Sequence, residues 1–313
     1  MLKQSLFYSK ILLFGEYGII EDSMGLSIPY NQFKGALKLD GRNDKYVEDS
    51  NTDIKSFYLY LISLQKNNEL PCDFDLELLK ADLDQGLYFD SSIPQGFGVG
   101  SSGALVASVY DKYCTDKILI SKKQTGDEIF NLKQIFSKLE AFFHGKSSGL
   151  DPLICYLNIP ILIKSKTVLN AVGLPAPNAM GNGAIFLLDS GSPGQTQNMV
   201  SIFLEKCKNE GFRNIIKHQF KKYNDECIEA FLKKDFKPLF HSLKHLSQLV
   251  YDNFSPMIPE NFKKLWQEGI DSNSYYLKLC GSGGGGFILG FTENLEQAEA
   301  KLKGQNLQVI YKF

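Results

Sequence analysis

An α+β protein of two domains is the fold class that this sequence predicts, and three observations support it. The chain has 313 residues with 43% hydrophobic content, which is enough for two cores of ordinary domain size. Strand-like and helix-like segments are mixed along it. Residues 173–183 read GLPAPNAMGNG, without charge and rich in proline and glycine, as is typical of a domain boundary. We therefore predict an N-terminal domain over residues 1–182 and a C-terminal domain over residues 183–313.

The N-terminal half alternates strands and helices. Its expected elements are two short strands in KILLFGEYGII (10–20) broken at Gly15-Glu16, a strand in GALKLD (35–40), a helix over 104–113, a helix from Thr125 to near Gly145, and a strand in YLNIPILI (156–163). The second helix is the better marked, because Thr125 and Glu128 form a T-x-x-E capping box ahead of an apolar stripe.

The C-terminal half opens with an apolar strand and closes with a β-rich segment. The expected elements are a strand in AIFLLD (184–189), helices between about 194 and 270, a strand–turn–strand in YYLKLCGSGGGGFILGF (275–291), a short helix and a last strand in LQVIYKF (307–313). Together the two halves give the mixed architecture.

Charge and cysteine usage exclude several classes of function. The 34 basic and 35 acidic residues leave a net charge of −1, so a nucleic acid is not an expected partner. The six cysteines contain no C-x-x-C pair, which argues against a zinc site and for reduced cytosolic thiols. Lys10 interrupts the apolar N-terminal segment and no apolar run would span a bilayer. We expect a cytoplasmic protein without a membrane partner.

The segment IPQGFGVGSSGAL (93–105) is the first candidate binding element. A dinucleotide fingerprint needs a strand running into its first glycine, and Pro94-Gln95 stand there instead. A Walker A loop fails at GKS (145–147), because Glu140 occupies the position of its first glycine. Four glycines that lead directly into a helix favour a loop that cradles phosphates with backbone amides.

Three further segments extend this interpretation. They are YSKILLFGEYGII (8–20), LEAFFHGKSSGLD (139–151) and GSGGGGF (281–287). With the glycine loop, they resemble the motifs of the GHMP small-molecule kinase superfamily over about residues 8 to 290. Within it the likeness is to mevalonate kinases, through Gly15-Glu16, the segment from His144 to Asp151, and the segment from Asp189 to Thr196.

The resemblance implies a fold, two cofactors and a set of site residues. The fold would be an N-terminal domain like ribosomal protein S5 domain 2 and a ferredoxin-like C-terminal domain, and the cofactors ATP and Mg²⁺. Asp151 would accept the proton of the substrate hydroxyl, with Lys10 paired to it, and Ser102 and Glu140 would hold Mg²⁺. The ATP phosphates would be wrapped by Gly96, Gly98, Gly100, Ser101, Ser102 and Gly103. The substrate would be bound by Glu16, Tyr17, Thr196, Gly281, Gly283 and Gly284. His144 is expected to serve as a partner of free helix-end carbonyls.

The implied activity is ATP-dependent phosphorylation of a small alcohol, with mevalonate converted to 5-phosphomevalonate in isoprenoid biosynthesis. Tyr17 stands where these kinases commonly have histidine, and Cys280 where threonine is frequent. GEYGII lacks the aspartate of galactokinases, and Asp151 disfavours homoserine kinase. Phosphomevalonate kinase and diphosphomevalonate decarboxylase stay open, as does a non-catalytic sensor that binds ATP without turnover. The sequence also leaves a homodimer open.

Overall fold

The computed structural model describes residues 5–120, 124–194 and 196–313. Its strands are β1 (Phe7–Phe14), β2 (Gly25–Lys38), β3 (Tyr88–Ser91), β4 (Ile161–Ile163), β5 (Leu169–Ala171), β6 (Ala184–Asp189), β7 (Tyr276–Leu279), β8 (Phe287–Thr292) and β9 (Leu307–Lys312). Its α-helices are α1 (Lys45–Lys66), α2 (Leu76–Asp84), α3 (Ser101–Tyr113), α4 (Gly126–His144), α5 (Leu150–Leu157), α6 (Thr196–Lys206), α7 (Glu210–Asn214), α8 (Lys221–Lys233), α9 (Phe236–Asn253), α10 (Glu260–Ser272) and α11 (Leu295–Lys301).

The chain forms two compact units that exchange segments along the sequence. The first unit holds residues up to Lys10 together with residues 28–95 and 100–159. The second unit holds residues 11–27, 96–99 and 160–313. Strands β1 and β2 and the glycine loop therefore contribute residues to both units. The domain boundary after residue 182 stays a prediction.

The first unit holds the longer part of β2 together with strand β3 and helices α1 to α5. Strand β2 pairs antiparallel with β3, from Gly35 opposite Ser91 to Lys38 opposite Tyr88. Helix α3 packs against α4 and α5, and α1 packs against α2, α4 and β3. The largest fully buried side chains here are Phe57, Tyr88, Tyr110, Tyr113 and Phe136. Helix α5 is apolar on nearly every side and buried, so it is held firmly where its first turn presents Asp151.

The second unit is built on an antiparallel sheet in the order β7-β8-β6-β9. Strand β6 is central, and its first five residues are buried. Helices α9 and α10 pack on β7 and on each other. The core is dominated by Phe186, Phe203, Phe231, Trp266 and Tyr275. The start of β2 pairs with β4, and β4 with β5, in the five-stranded sheet that also contains β1.

Several expected elements have the bounds that the sequence predicts. Helix α4 begins after a capping box, in which the Thr125 side chain accepts from the Glu128 amide and the Glu128 carboxylate accepts from the Thr125 amide. Gly145 caps its end with a positive φ of 71°. Strand β6 coincides with AIFLLD, and β7 and β8 flank the glycine-rich turn. These predictions are confirmed, and each was possible because the element carries a local signal.

Two strand predictions are wrong. The second half of KILLFGEYGII is a 3-10 turn over Gly18–Glu21, because positive φ values at Gly15 and Tyr17 turn the chain out of extended geometry. YLNIPILI is a strand only at β4, since Tyr156 and Leu157 end α5 and Asn158 leaves the helix in the left-handed region. Within the described residues, every helix is too short or too polar to span a bilayer.

Candidate active site

A buried lysine and a half-exposed aspartate form the centre of the first unit's candidate residues. Lys10 lies in β1 with 3% of its side chain exposed, and its Nζ is 2.9 Å from Oδ1 of Asp151. Asp151 stands in the first turn of α5, and 37% of its side chain is exposed. An ammonium is costly to bury alone, so the pairing accounts for a lysine inside an apolar strand. The same carboxylate remains accessible to a ligand.

Helix α3 begins directly against this pair. Gly100 precedes it with φ of +86°, and a Cβ there would lie 3.0 Å from Lys10 Cγ. A Cβ on Gly103 would lie 2.7 Å from the Asp151 carbonyl carbon, 2.8 Å from the Pro152 nitrogen and 2.9 Å from Asp151 Cβ. Because glycine has no Cβ, the backbone at Gly100 and Gly103 can come this close to Lys10 and Asp151. The first turns of α3 and α5 therefore lie in contact. The free amides of the α3 N-terminus are therefore beside Lys10 and Asp151.

Ser102 and Glu140 are in hydrogen-bond contact, so their oxygen atoms lie close enough to share one metal ion. Ser102 Oγ donates to Glu140 Oε1 at 3.3 Å and lies 3.1 Å from His144 Nε2. Ser147 Oγ donates a short hydrogen bond to the other carboxylate oxygen of Glu140. His144 was expected to cap helix-end carbonyls, and its ring instead contacts Ser102. The sequence analysis did not select Ser147, which reaches Glu140 because the chain turns back after the end of α4.

Burial decides the electrostatics of this group. Burial first and the nearby Asp151 carboxylate second raise the pKa of the Glu140 carboxyl to about 8, against the opposing effects of Ser147, Lys10 and Ser102. Burial lowers the pKa of His144. A buried carboxylate beside a hydroxyl is a set of hard oxygen ligands, which is what Mg²⁺ prefers. The residues present therefore fit Mg²⁺.

In the second unit, Glu16 pairs with a lysine that the sequence analysis did not select. Lys278 Nζ donates to Glu16 Oε1, and the two side chains are 4% and 7% exposed. The Lys278 ammonium also lies 5.8 Å from the centre of the Phe14 ring. A charge inside the strand YYLKLC was the available signal, since a lysine among buried apolar neighbours needs a partner.

Tyr17 is fixed by its hydroxyl and by its ring. The hydroxyl donates to the Ser282 carbonyl at 2.5 Å, and the ring stacks on Phe203 with centroids 4.6 Å apart. Burial raises the pKa of Tyr17, and neighbouring Glu16 adds to the shift, so the phenol stays protonated. With Glu16 and Lys278 it lines a small cavity whose other side chains, Phe220 and Phe254 among them, are apolar. The Tyr17 phenol is therefore a neutral hydrogen-bond donor.

The two glycine-rich segments meet inside the second unit. A Cβ on Gly98 would lie 2.2 Å from the Cys280 carbonyl oxygen, and a Cβ on Gly286 would lie 2.5 Å from Phe97 Cα. Gly96 accepts a hydrogen bond from the Gly194 amide at 2.8 Å. All glycines from 281 to 286 have positive φ, among them the predicted residues Gly281, Gly283 and Gly284. The close packing of the two backbones therefore accounts for the run of glycines from 281 to 286, which a simple hairpin would not need.

The predicted residues fall into one group in each unit. The first unit brings together Lys10, Gly100, Ser102, Gly103, Glu140 and Asp151, with Ser101 in the same helical turn as Ser102. The second unit holds Glu16, Tyr17, Gly96, Gly98, Gly281, Gly283 and Gly284. Thr196 begins α6, and its side chain lies outside the described part of the chain.

Comparison with known proteins identifies the fold. Residues 227–304 match the family model GHMP kinases C terminal. The L. major mevalonate kinase in complex with R-mevalonate superposes with a TM-score of 0.62 at 16% identity, covering 97% of this chain and 91% of that one. The Lactococcus lactis galactokinase complexed with galactose gives 0.64 at 13%, covering 99% and 94%. The Streptococcus pneumoniae phosphomevalonate kinase in complex with phosphomevalonate and AMPPNP gives 0.64 at 12%, covering 99% of each chain.

A search among curated proteins gave no match. The solved structures and the C-terminal family model agree on one class: the chain has the two-domain α+β fold of the GHMP kinases, and the resemblance stated from its motifs is confirmed. Mevalonate kinases are among the proteins that share this fold.

Proposed function

We propose that this protein is an ATP-dependent kinase that phosphorylates a small alcohol, with mevalonate as its acceptor and 5-phosphomevalonate as its product. The observation that supports this most directly is the ion pair between the buried ammonium of Lys10 and the accessible carboxylate of Asp151. A protein that only sensed ATP would need the phosphate loop but not a proton acceptor. GHMP kinases are ATP-dependent phosphotransferases, and the chain has their fold.

The proposed reaction is an in-line phosphoryl transfer. The Asp151 carboxylate accepts the proton of the acceptor hydroxyl, while the Lys10 ammonium stabilises the negative charge that develops on that oxygen. The new O–P bond forms at the γ-phosphorus as its bond to the β-γ bridging oxygen breaks, and ADP leaves with that electron pair. The backbone amides from Gly100 to Gly103 bind and orient the phosphates.

Ser102 and Glu140 would hold Mg²⁺ at the start of this helix. When bound, the ion supplies charge neutralisation to the phosphate oxygens. Glu140 must lose its proton to act as a ligand, and its elevated pKa makes that step sensitive to pH.

The acceptor is proposed from the motif set. Gly15-Glu16, the segment from His144 to Asp151 and the segment from Asp189 to Thr196 favour mevalonate. The buried Glu16–Lys278 pair and the Tyr17 phenol line one small cavity, but they bond each other and the Ser282 carbonyl, so the choice of acceptor depends on the motifs. Phosphomevalonate and diphosphomevalonate are related acids and remain the alternatives.

The test is an ADP-release assay over mevalonate, phosphomevalonate, diphosphomevalonate, homoserine and galactose, with Mg-ATP in each case. We expect mevalonate to be the best acceptor and phosphorylation at its 5-hydroxyl. A tenfold preference for homoserine or a sugar would contradict the acceptor and leave the kinase class. ATP binding without turnover on any member of the panel would favour the sensor.

A further inference from the structure

A second cluster of ligand-type side chains lies in the first unit, away from the N-terminus of α3. One atom each from Cys72, Cys114 and Asp116 lies within 4.8 Å of the other two. Cys72 precedes α2, Cys114 caps the end of α3, and Asp116 follows two residues later. Cys114 is buried, Cys72 is half-buried and Asp116 is exposed, so the cluster opens to solvent on its carboxylate side.

The backbone holds the two segments in fixed register. Phe74 and Cys114 form an antiparallel bridge, the Asp75 amide donates to the Tyr113 carbonyl at 2.8 Å, and the Thr115 amide donates to the Asp73 carbonyl at 2.9 Å. The Asp116 carboxylate is oriented in turn. Its Oδ1 accepts from the Asp73 amide at 3.0 Å and from the Cys114 thiol at 3.2 Å. The three ligands are therefore arranged before any ion arrives.

We propose that Cys72, Cys114 and Asp116 bind one Zn²⁺ ion through two thiolates and one carboxylate oxygen. Tetrahedral zinc with Zn–S bonds of about 2.3 Å and Zn–O bonds of about 2.0 Å places two sulfurs about 3.8 Å apart and a sulfur and an oxygen about 3.5 Å apart. The Cys114–Asp116 separation of 3.2 Å and the 4.8 Å limit on the cluster are within reach of those values. Both thiol protons leave on binding, and water takes the open fourth position.

This site differs in chemistry and in place from the proposed Mg²⁺ site. Thiolates select Zn²⁺ over Mg²⁺, which prefers oxygen ligands. Ser102 and Cys114 lie at opposite ends of the 13-residue helix α3, about 20 Å long at 1.5 Å per residue. A bound Zn²⁺ would crosslink the segment before α2 to the C-terminal end of α3. The expectation that no zinc site exists rested on spacing, and folding brings Cys72 and Cys114 together across 42 positions.

The test is metal titration of the full chain, freed of metal with a chelator and kept reduced with a phosphine. Cd²⁺ serves as the spectroscopic probe, because Cd–thiolate bonds absorb in the ultraviolet, and Zn²⁺ competes against it. We expect one Cd²⁺ per chain in the wild type, displacement by Zn²⁺, and no band with Mg²⁺. Cys72→Ser and Cys114→Ser should abolish the band, and Asp116→Asn should weaken Zn²⁺ binding by about tenfold or more.

Cys207→Ser is the matched control, because Cys207 is a half-buried thiol of the second unit and its loss should leave the titration unchanged. Zn²⁺ should raise the melting temperature of the wild type and of this control but not of Cys72→Ser, whose metal-free melting curve shows whether it folds. Wild type that binds no Cd²⁺ with its thiols reduced would overturn the proposal. The proposal would also be overturned if Cys72→Ser and Cys207→Ser gave the same Cd²⁺ titration curve. A further contrary result would be protein purified without reductant that shows four free thiols on unfolding and a Cys72–Cys114 disulfide.

Discussion

Asp151 and Lys10 decide, at the level of single residues, whether this protein is an enzyme. Asp151→Asn keeps the size of the side chain and removes its charge and basicity. Because general-base contributions are typically ~10² to 10⁴-fold, turnover of the best acceptor should fall by about that factor. ATP affinity should change little, since the phosphates are proposed to be bound by the amides from Gly100 to Gly103 and not by Asp151. Single-turnover phosphorylation and ATP titration give the two quantities.

The same experiment with Lys10→Met tests the pair as a unit. The loss should be of a similar order, and the double variant should lose less than the product of the two single losses, because the ammonium and the carboxylate are in direct contact. An Asp151→Asn variant that retained more than a third of the wild-type rate would exclude Asp151 as the base.

Glu140 should give the metal-free protein an unusual dependence of stability on pH. An ordinary glutamate has a pKa of 4.5, and in the folded chain burial and the neighbouring Asp151 carboxylate together raise that of Glu140 to about 8, against the opposing effects of Ser147, Lys10 and Ser102. Between these values the folded protein binds one proton more than the unfolded one. The free energy of unfolding therefore falls as pH rises from about 4.5 to 8, by about 1.4 kcal/mol per pH unit for one proton.

Glu140→Gln removes this proton and keeps the shape of the side chain. Urea unfolding of wild type and variant at several pH values in a chelating buffer measures the effect, because the contributions of other groups cancel in the difference. The wild type should lose stability relative to Glu140→Gln as pH rises towards 8, with no further change above it. A difference that stayed constant from pH 5 to 8 would show that Glu140 is ionised throughout.

At the scale of elements, the contact between helices α3 and α5 depends on Gly103. A methyl group there would lie 2.7 Å from the Asp151 carbonyl carbon and 2.8 Å from the Pro152 nitrogen, so backbone must move. We expect Gly103→Ala to destabilise the protein by about 1–3 kcal/mol, as overpacking typically does. Because α5 carries Asp151, turnover should fall as well, and a misplacement of about 1 Å can cost ~10²-fold.

Gly173→Ala is the control, since a Cβ at Gly173 would meet open space and its φ lies outside the region that favours glycine. Calorimetric melting temperature and turnover of both variants are the measurements. Equal melting temperatures for the two would show that α3 and α5 tolerate a larger separation.

The elements that the sequence predicted correctly carry a local signal, although one helix with such a signal was missed, and a strand prediction that failed depends on distant contacts. The capping box of α4 and the strand β6 are local, and both have the predicted bounds. Helix α1 was missed although Asp44 caps it and Val47, Ile54, Phe57, Leu61 and Leu64 are buried at helical spacing. The YGII strand was wrong because a positive φ at Tyr17 depends on Phe203 and Ser282, far along the chain.

The same division applies to the candidate site. The glycine loops could be predicted from the sequence, because repeated glycine is rare unless the backbone needs positive φ or a close approach. Here residues 96–98 approach the backbone of Cys280 and Gly286 closely. The Cys72–Cys114 cluster could not be predicted, because the two cysteines meet only through distant segments. For Lys278 the sequence offered a charge inside an apolar strand but not its partner Glu16, and Ser147 reaches Glu140 only where the chain turns back after α4.

At the scale of the whole molecule, ligand binding should appear as stability of the entire fold. A ligand at a hundred times its Kd stabilises the folded state by about 2.7 kcal/mol. Mg-ATP should reach this value for the wild type, and ATP with a chelator in place of Mg²⁺ should stabilise it less, because the charge of the phosphates would then lack the ion that Ser102 and Glu140 are proposed to hold.

Variants at the proposed ligands should need more Mg²⁺ to reach the same stabilisation. For Ser102→Ala and Glu140→Gln, we expect the Mg²⁺ midpoint of ATP-linked stabilisation, read from melting temperature at fixed ATP, to rise well above that of the wild type. Asp151→Asn is the control, because its proposed partner is the acceptor hydroxyl. Loss of its charge lowers the pKa of Glu140, so its midpoint should not rise above the wild-type value. If ATP stabilised the wild type equally with chelator and with Mg²⁺, or if both ligand variants kept the wild-type midpoint, the metal would lie elsewhere. If instead all four proteins gained the Mg-ATP stabilisation and none turned over an acceptor, the glycine loop would be a nucleotide-binding element in a protein that is not a kinase.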